Sequence, residues 1–171
     1  NITDDNAITS QKNWFGARYY EIIPVTYPGK NPYYVLLGWK GNNNKTSKKV
    51  IEVLSFDKDQ AIFGKSVFEI KKKANNRNRM VFEYNKRNSM TLTFDKQVNM
   101  IVFDHLVPQS KALEGMLDLY APDLSYDTYK YKFGRWIIQE NVKFTNLPEA
   151  SDELFIDPAE DSVNTSAVIK N

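Results

Sequence analysis

Residues 104–127 (DHLVPQSKALEGMLDLYAPDLSYD) hold the densest group of side chains that could do chemistry. We interpret this stretch as one irregular connection, and connections of more than about 12–15 residues are uncommon in compact domains and often functional. Its acids could converge on a hard cation or form a general acid/base pair. Their spacing matches no known loop code, however, and solvated acids with a capped turn at Pro122-Asp123 explain the same residues. The candidate binding residues are Asp104, His105, Glu114, Asp118, Tyr120, Asp123, Tyr126 and Asp127.

The chain has one histidine, His105, and no cysteine. These counts exclude a His-rich or thiolate metal site. Asp104 is the neighbour of His105, but consecutive residues of a strand point to opposite faces, so the two would not pair naturally. None of Ser89, Ser110 and Ser125 lies in a G-x-S-x-G nucleophile elbow. The sequence therefore predicts no catalytic residue, no metal and no cofactor, and it favours a structural role for His105.

A second candidate region is the basic stretch from residue 71 to residue 87, where only Glu83 offsets the positive charge. Such a stretch could meet phosphate, anionic lipid or an acidic glycan. The absence of an aromatic base-stacking motif disfavours nucleic acid as the partner. The alternative is a solvated cluster of lysines that protects the edge of a sheet. The candidate basic patch consists of Lys71, Lys72, Lys73, Arg77 and Arg79.

Short runs of alternating apolar and polar residues predict that β-strands position these groups. In residues 90–94 (MTLTF), Met90, Leu92 and Phe94 share one face and the two threonines share the other. We predict an all-β domain, an antiparallel meander that forms a sandwich or partial barrel, with one long irregular loop and a flexible acidic C-terminal tail. Residues 109–119 could form one short helix. The predicted strands are 18–25, 33–39, 49–56, 61–63 with 66–70, 80–84, 89–94, 99–103, 128–133 and 135–144.

Charge is unevenly distributed along the 171 residues, whose formal net charge is +2. Residues 1–144 carry 22 Lys and Arg against 15 Asp and Glu, whereas residues 145–171 carry one Lys against six acids. The acidic segment has too few apolar residues to fold alone, and its one apolar patch is at residues 154–156 (LFI). We predict a flexible N-terminus (1–12), a β domain (13–144) and an acidic tail (145–171) that is disordered or docked on the surface. No apolar run approaches the roughly 20 residues of a membrane-spanning helix, so the chain is not predicted to be transmembrane.

Several short strings together resemble a family of uncharacterised exported proteins of Gram-negative bacteria. The resemblance covers residues 13–144 and implies a location in the periplasm or at the outer membrane. It also implies that the chain is the C-terminal piece of a longer protein, and it brings no known activity. The strings are 13–20 (NWFGARYY), 34–43 (YVLLGWKGNN), 49–54 (KVIEVL), 63–64 (FG), 80–84 (MVFEY), 101–106 (IVFDHL), 113–115 (LEG) and 122–127 (PDLSYD).

The function expected first is a non-enzymatic binding or assembly module of the cell envelope, whose partner is an envelope protein or a glycan. Abundant Tyr and Trp suit sugar stacking, because aromatic rings present a flat apolar face. The first alternative is a hydrolase that acts on glycan or peptide with paired carboxylates, which would have to lie about 5–9.5 Å apart in a glycosidase. The second alternative is a small-molecule carrier, which needs an apolar cavity of at least ~300 Å³. The binding module predicts an exposed aromatic or apolar patch.

Overall fold

The structure is a computed structural model of the chain, and it describes Asp4 and residues 6–70 and 76–142. Over these residues the chain forms ten β-strands and two short 3₁₀ turns. The all-β antiparallel prediction is confirmed. The strands are β1 (Thr9–Ser10), β2 (Arg18–Tyr27), β3 (Lys30–Gly41), β4 (Thr46–Asp57), β5 (Gln60–Phe63), β6 (Met80–Asn85), β7 (Leu92–Asp95), β8 (Met100–Pro108), β9 (Tyr120–Lys132) and β10 (Arg135–Val142), and the turns are Lys111–Leu113 and Leu117–Leu119.

The strands form two sheets. The first has six strands in the order β1-β5-β4-β3-β2, and β6 pairs with the other half of β4. The second has four strands in the order β10-β9-β8-β7. Strands that follow each other along the chain mostly lie side by side, as a meander requires, because short turns join antiparallel neighbours.

The two sheets face each other across one apolar core. The first sheet contributes residues such as Val35, Leu37 and Ile51, and the second contributes residues such as Ile101 and Tyr129. Cross-strand partners share a face, so the period of two sends every second side chain of these strands into the core. In β7 the alternation is as predicted, because Leu92 is buried while the threonines on either side of it are exposed.

Three local predictions need correction. Residues 104–127 are not one irregular connection, because β8 continues to Pro108 and β9 begins at Tyr120, which leaves only 109–119 irregular. The short helix predicted for 109–119 is replaced by the two 3₁₀ turns, and Gly115 between them has a φ of 89°, outside the helical region. Residues 66–70 are not a regular strand but contribute isolated bridges through Phe68, which pairs with Arg77 and Trp136.

Residues 6–17 pair with the edge of the first sheet and then pack on the side of that sheet that faces away from the core. Thr9 and Ser10 form β1 and pair with β5. Asn6 accepts two hydrogen bonds of 2.8 Å from Asn78, one from its backbone N–H and one from its side-chain amide. Phe15 belongs to a small second core together with Val50. Part of the segment predicted to be a flexible N-terminus is therefore in contact with the domain, and the tail predicted for 145–171 lies outside the described residues.

Trp136 is the largest fully buried side chain, so its truncation to alanine tests the packing between the sheets. We expect Trp136→Ala to lower the free energy of unfolding by about 3–5 kcal/mol, because the large cavity it leaves cannot be filled. Phe133→Ala is the matched control, since Phe133 is aromatic, three positions away and 85% exposed. Urea unfolding followed by circular dichroism measures both, and equal losses for the two variants would contradict the proposed core.

Candidate functional site

His105 is hydrogen-bonded to Asp127, which lies on the neighbouring strand. The His105 Nδ1 atom is 2.7 Å from Asp127 Oδ2. The pairing of β8 with β9 shifts register between Asp104 and Leu106, and this bulge contains His105. The second carboxylate oxygen of Asp127 accepts a hydrogen bond of 3.1 Å from the Asn141 backbone N–H. One carboxylate therefore connects three adjacent strands, and the imidazole remains about one third exposed.

The other predicted acids have separate local partners. Asp104 accepts a hydrogen bond of 2.6 Å from the Thr91 backbone N–H. Asp118 lies 3.6 Å from the Lys45 ammonium on the surface. The Asp123 carboxylate accepts hydrogen bonds from the Ser125 hydroxyl and backbone N–H.

The hydroxyl of Ser125 is the main reason why the pKa of Asp123 lies below its usual range. Glu114 is exposed at the end of the first 3₁₀ turn. The hydroxyl of Tyr120 accepts a hydrogen bond from the Gly115 backbone N–H.

The structure does not bring these carboxylates together. Asp127 is opposite Phe103 and Asp104 is opposite Tyr126, so the two aspartates point to opposite faces of the sheet. Among the described residues, no three His, Asp or Glu side chains are grouped as a metal ion would require. Of the eight candidate binding residues, the His105–Asp127 pair is the one contact on which chemistry could be based. In the part of the chain that the structure describes, the hydrogen bonds of this pair do not include one to a side chain that could act as the nucleophile of a catalytic triad.

The predicted basic patch is divided between different environments. Lys71, Lys72 and Lys73 lie outside the described residues. Arg77 is exposed and its backbone bridges to Phe68. Arg79 is fully buried, so its assignment to an exposed basic patch is wrong. The arginine is buried because residues of the segment 6–17 cover it: the Phe15 ring lies over its guanidinium, which donates a hydrogen bond to the Ala7 carbonyl.

Arg79 forms a buried ion pair with Glu52 of β4. Both side chains have no exposed surface, and the guanidinium contacts the Glu52 carboxylate through its Nε and Nη2 atoms. The Tyr19 hydroxyl donates a hydrogen bond of 2.6 Å to the other carboxylate oxygen. Burial, together with the neighbouring carboxylate, raises the pKa of Tyr19 far above its usual value. The Phe15 ring lies 5.1 Å from the guanidinium carbon and closes the site from the outside.

Beyond this ion pair, the same side of the first sheet is apolar and exposed. Cross-strand pairing places Ile22 opposite Leu36, and Pro24 opposite Tyr34. Since paired residues share a face, these side chains form a continuous surface on the side away from the core. We call it the outer apolar face, and it consists of Trp14, Ile22, Pro24, Tyr34, Leu36, Leu54, Phe56 and Phe63.

Several members of the outer apolar face are strongly exposed. Ile22 is 63% exposed, Phe56 56%, Trp14 43% and Tyr34 39%. A shallow groove of about 340 Å³ runs between Trp14, Ile22 and Phe63, and Gln11 and Tyr19 are its two lining residues with a polar group. The Trp14 ring is 6.1 Å from Phe63 and the Tyr34 ring is 6.4 Å from Phe56, so the aromatic groups support each other. Contiguous exposed apolar surface of this kind marks binding sites.

Sequence reasoning missed the outer apolar face, although a signal was present. Apolar residues occur side by side at 22–23 and 36–37, and a strict alternation would place one polar residue in each pair. Strands with continuous apolar runs are those that have both faces covered. The sequence therefore contained evidence that the first sheet is apolar on two sides.

Comparison of the chain with protein-family models, with curated proteins and with solved structures gives no match. Function must therefore be argued from the chain's own geometry. In the described parts of the chain, no helix has the length and apolar character needed to cross a membrane.

Removal of the Glu52 charge tests the buried ion pair. We expect Glu52→Gln to lower the free energy of unfolding by about 3–5 kcal/mol, because the Arg79 charge would stay buried without its compensating carboxylate. Asp118→Asn is the control, since its partner Lys45 is largely exposed and surface pairs contribute about 0–1 kcal/mol. Urea unfolding measures both variants. A loss for Glu52→Gln as small as that for Asp118→Asn would contradict the burial of this pair.

Buried tyrosines predict that stability declines in alkali. Burial raises the pKa values of Tyr129 and Tyr33 well above the usual value for tyrosine. Above about pH 10 the unfolded chain loses these protons while the folded chain retains them, so the free energy of unfolding falls as pH rises. We expect a smaller fall in Tyr129→Phe when urea unfolding is measured between about pH 9 and 12. An unchanged slope in that variant would show that Tyr129 ionises normally in the folded protein.

Proposed function

We propose that this protein is a non-enzymatic binding or assembly module of the cell envelope, and that the outer apolar face is where it holds a protein partner. The observation that supports the proposal is the exposure of Trp14, Ile22, Tyr34 and Phe56 on one continuous surface. A protein that exposes such a surface to water gains stability when a partner covers it.

The shape and composition of the outer apolar face favour a protein segment as the partner. Pockets for small molecules are concave and bury most of the ligand, whereas the groove beside Trp14 is shallow. The cores of protein interfaces are rich in aromatic residues and poor in charged ones. The outer apolar face has the same composition, with three aromatic rings among its exposed members and no charged side chain. The partner segment is therefore expected to present apolar side chains of its own.

The two alternative functions have less support. A hydrolase with paired carboxylates needs two acids in one cleft, but Asp104 and Asp127 point to opposite faces of their sheet. A carrier needs an enclosed apolar cavity, but large side chains such as Trp136 and Phe68 fill the space between the sheets. The envelope location rests on the resemblance of residues 13–144 to exported proteins of Gram-negative bacteria. The acidic tail, which could add contacts, lies outside the described residues.

The proposal is tested by placing a charge on the outer apolar face. We expect Ile22→Asp to bind the protein partner at least tenfold more weakly than the wild type, because a carboxylate would be buried in an apolar interface. Partners are captured from envelope extract by cross-linking and identified by mass spectrometry. Their affinity for each purified variant is then measured by titration.

Phe133→Asp is the matched control, because it introduces the same charge at an exposed aromatic residue in the turn between β9 and β10, away from the outer apolar face. We expect it to bind the partner as the wild type does. Both variants replace exposed side chains, and circular dichroism checks that they fold. Equal binding by Ile22→Asp and the wild type would overturn the assignment of the outer apolar face.

A further inference from the structure

A pocket of about 280 Å³ opens at the end of the molecule where two hairpin turns meet. The turn between β2 and β3, the turn between β9 and β10, and residues 65–67 surround it. Three tyrosines and three cations dominate its wall. They are Tyr27, Tyr33, Tyr131, Lys30, Lys65 and Arg135, and we call the site the tyrosine–cation pocket. It shares no residue with the outer apolar face.

The tyrosine–cation pocket concentrates positive charge without a compensating acid. No Asp or Glu lines it, and among the described residues no carboxylate forms an ion pair with Lys30, Lys65 or Arg135. Like charges held close together repel each other, and a bound anion relieves that repulsion. The pocket therefore has the electrostatics of an anion site.

The two ammonium groups are held in place by tyrosine rings. Lys30 Nζ lies 5.4 Å from the centre of the Tyr27 ring, and Lys65 Nζ lies 5.3 Å from the centre of the Tyr33 ring. Gly134 makes room for Lys30, because a Cβ atom there would lie 2.9 Å from the Lys30 Nζ atom. The backbone of Phe133 and Gly134 has φ angles of 51° and 78°, as the tight turn between β9 and β10 requires. The turn thus brings the lysine of one hairpin over the backbone of the other.

A buried hydroxyl without a hydrogen-bond partner in the described part of the chain is a second indication that the pocket is a binding site. Tyr33 is 5% exposed and lines the pocket. Its hydroxyl makes no well-formed hydrogen bond among the described residues, although the Tyr131 and Trp136 side chains are near it. Buried hydroxyl groups in proteins are almost always hydrogen-bonded. A ligand with hydrogen-bond donors and acceptors of its own would supply the partner that the Tyr33 hydroxyl needs.

We propose that the tyrosine–cation pocket binds a hexuronate, a six-membered sugar ring that carries a carboxylate. The carboxylate pairs with Arg135 and the two lysines, because guanidinium and carboxylate form strong bidentate hydrogen bonds. The apolar face of the ring packs on Tyr27 or Tyr131, since tyrosine combines a flat apolar surface with a polar tip. The sugar hydroxyls meet Asn31, Ser66 and Asn76, the remaining polar side chains of the wall. The volume of the pocket suits a single ring.

The proposal is tested by calorimetric titration of the full chain with D-glucuronate. We expect a dissociation constant on the order of 1 mM, which is about 4 kcal/mol of binding free energy. D-Glucose serves as the uncharged counterpart, and acetate and inorganic phosphate serve as anions without the sugar ring. Binding of glucuronate at least tenfold tighter than binding of all three controls supports the proposal.

Substitutions locate the binding in the pocket. Arg135→Gln and Tyr27→Ala are each expected to weaken glucuronate binding by at least tenfold, and both replace exposed residues. Lys96→Gln is the control, because it removes the same unit of charge from the exposed turn between β7 and β8. Binding by phosphate or acetate equal to that of glucuronate would make this a general anion site and overturn the sugar assignment. No binding, or equal weakening by Lys96→Gln, would overturn the site itself.

Discussion

The first sheet is apolar on both sides, and much of the structure follows from this constraint. β3 and β4 bury Val35 and Val53 against the second sheet, but they also carry Leu36 and Leu54 on the opposite side. A sheet with two apolar faces must be covered twice. The second sheet covers one face, while Phe15 covers part of the other and the short strand β1 extends the edge of the sheet beside β5. The outer apolar face is the part that remains open to solvent.

The buried ion pair explains how a short segment without a core of its own is held on the sheet. The Glu52 carboxylate lies on the same side of the first sheet as the outer apolar face, but it is fully buried and accepts hydrogen bonds from both Tyr19 and Arg79. The Arg79 guanidinium also donates to the backbone carbonyl of Ala7, so the segment itself completes the shell around the charge. A buried ion pair contributes little net stability, because desolvation offsets most of the attraction. Its effect is to define one arrangement, since any other position of residues 6–17 would leave a charge uncovered.

Much of the fold could be predicted from the sequence, because the alternation in β7 and the short apolar runs of β3 and β4 are local properties. In β8 and β9, Pro108, Pro122 and several acids weaken the alternation, so the sequence predicts a loop over residues that in fact extend both strands. Pairing with a long partner strand overrode those local preferences. The His105–Asp127 contact depends on register across two strands and on a bulge, and neither can be derived from sequence spacing. The burial of Arg79 was equally hidden, because its partner Glu52 is 27 positions away.

The two surfaces to which we assign binding differ in the physical principle that would drive recognition. The outer apolar face has no charged side chain, so association there would depend on removing apolar area from water and would change little with salt. The tyrosine–cation pocket has three uncompensated cations, so binding there would weaken as ionic strength rises. They lie on different parts of the β2–β3 hairpin, with Ile22 and Tyr34 on its face and Tyr27 and Lys30 at its turn. One hairpin would therefore connect the proposed protein contact on its face to the proposed sugar contact at its turn, and the opposite dependence of the two on salt would distinguish them experimentally.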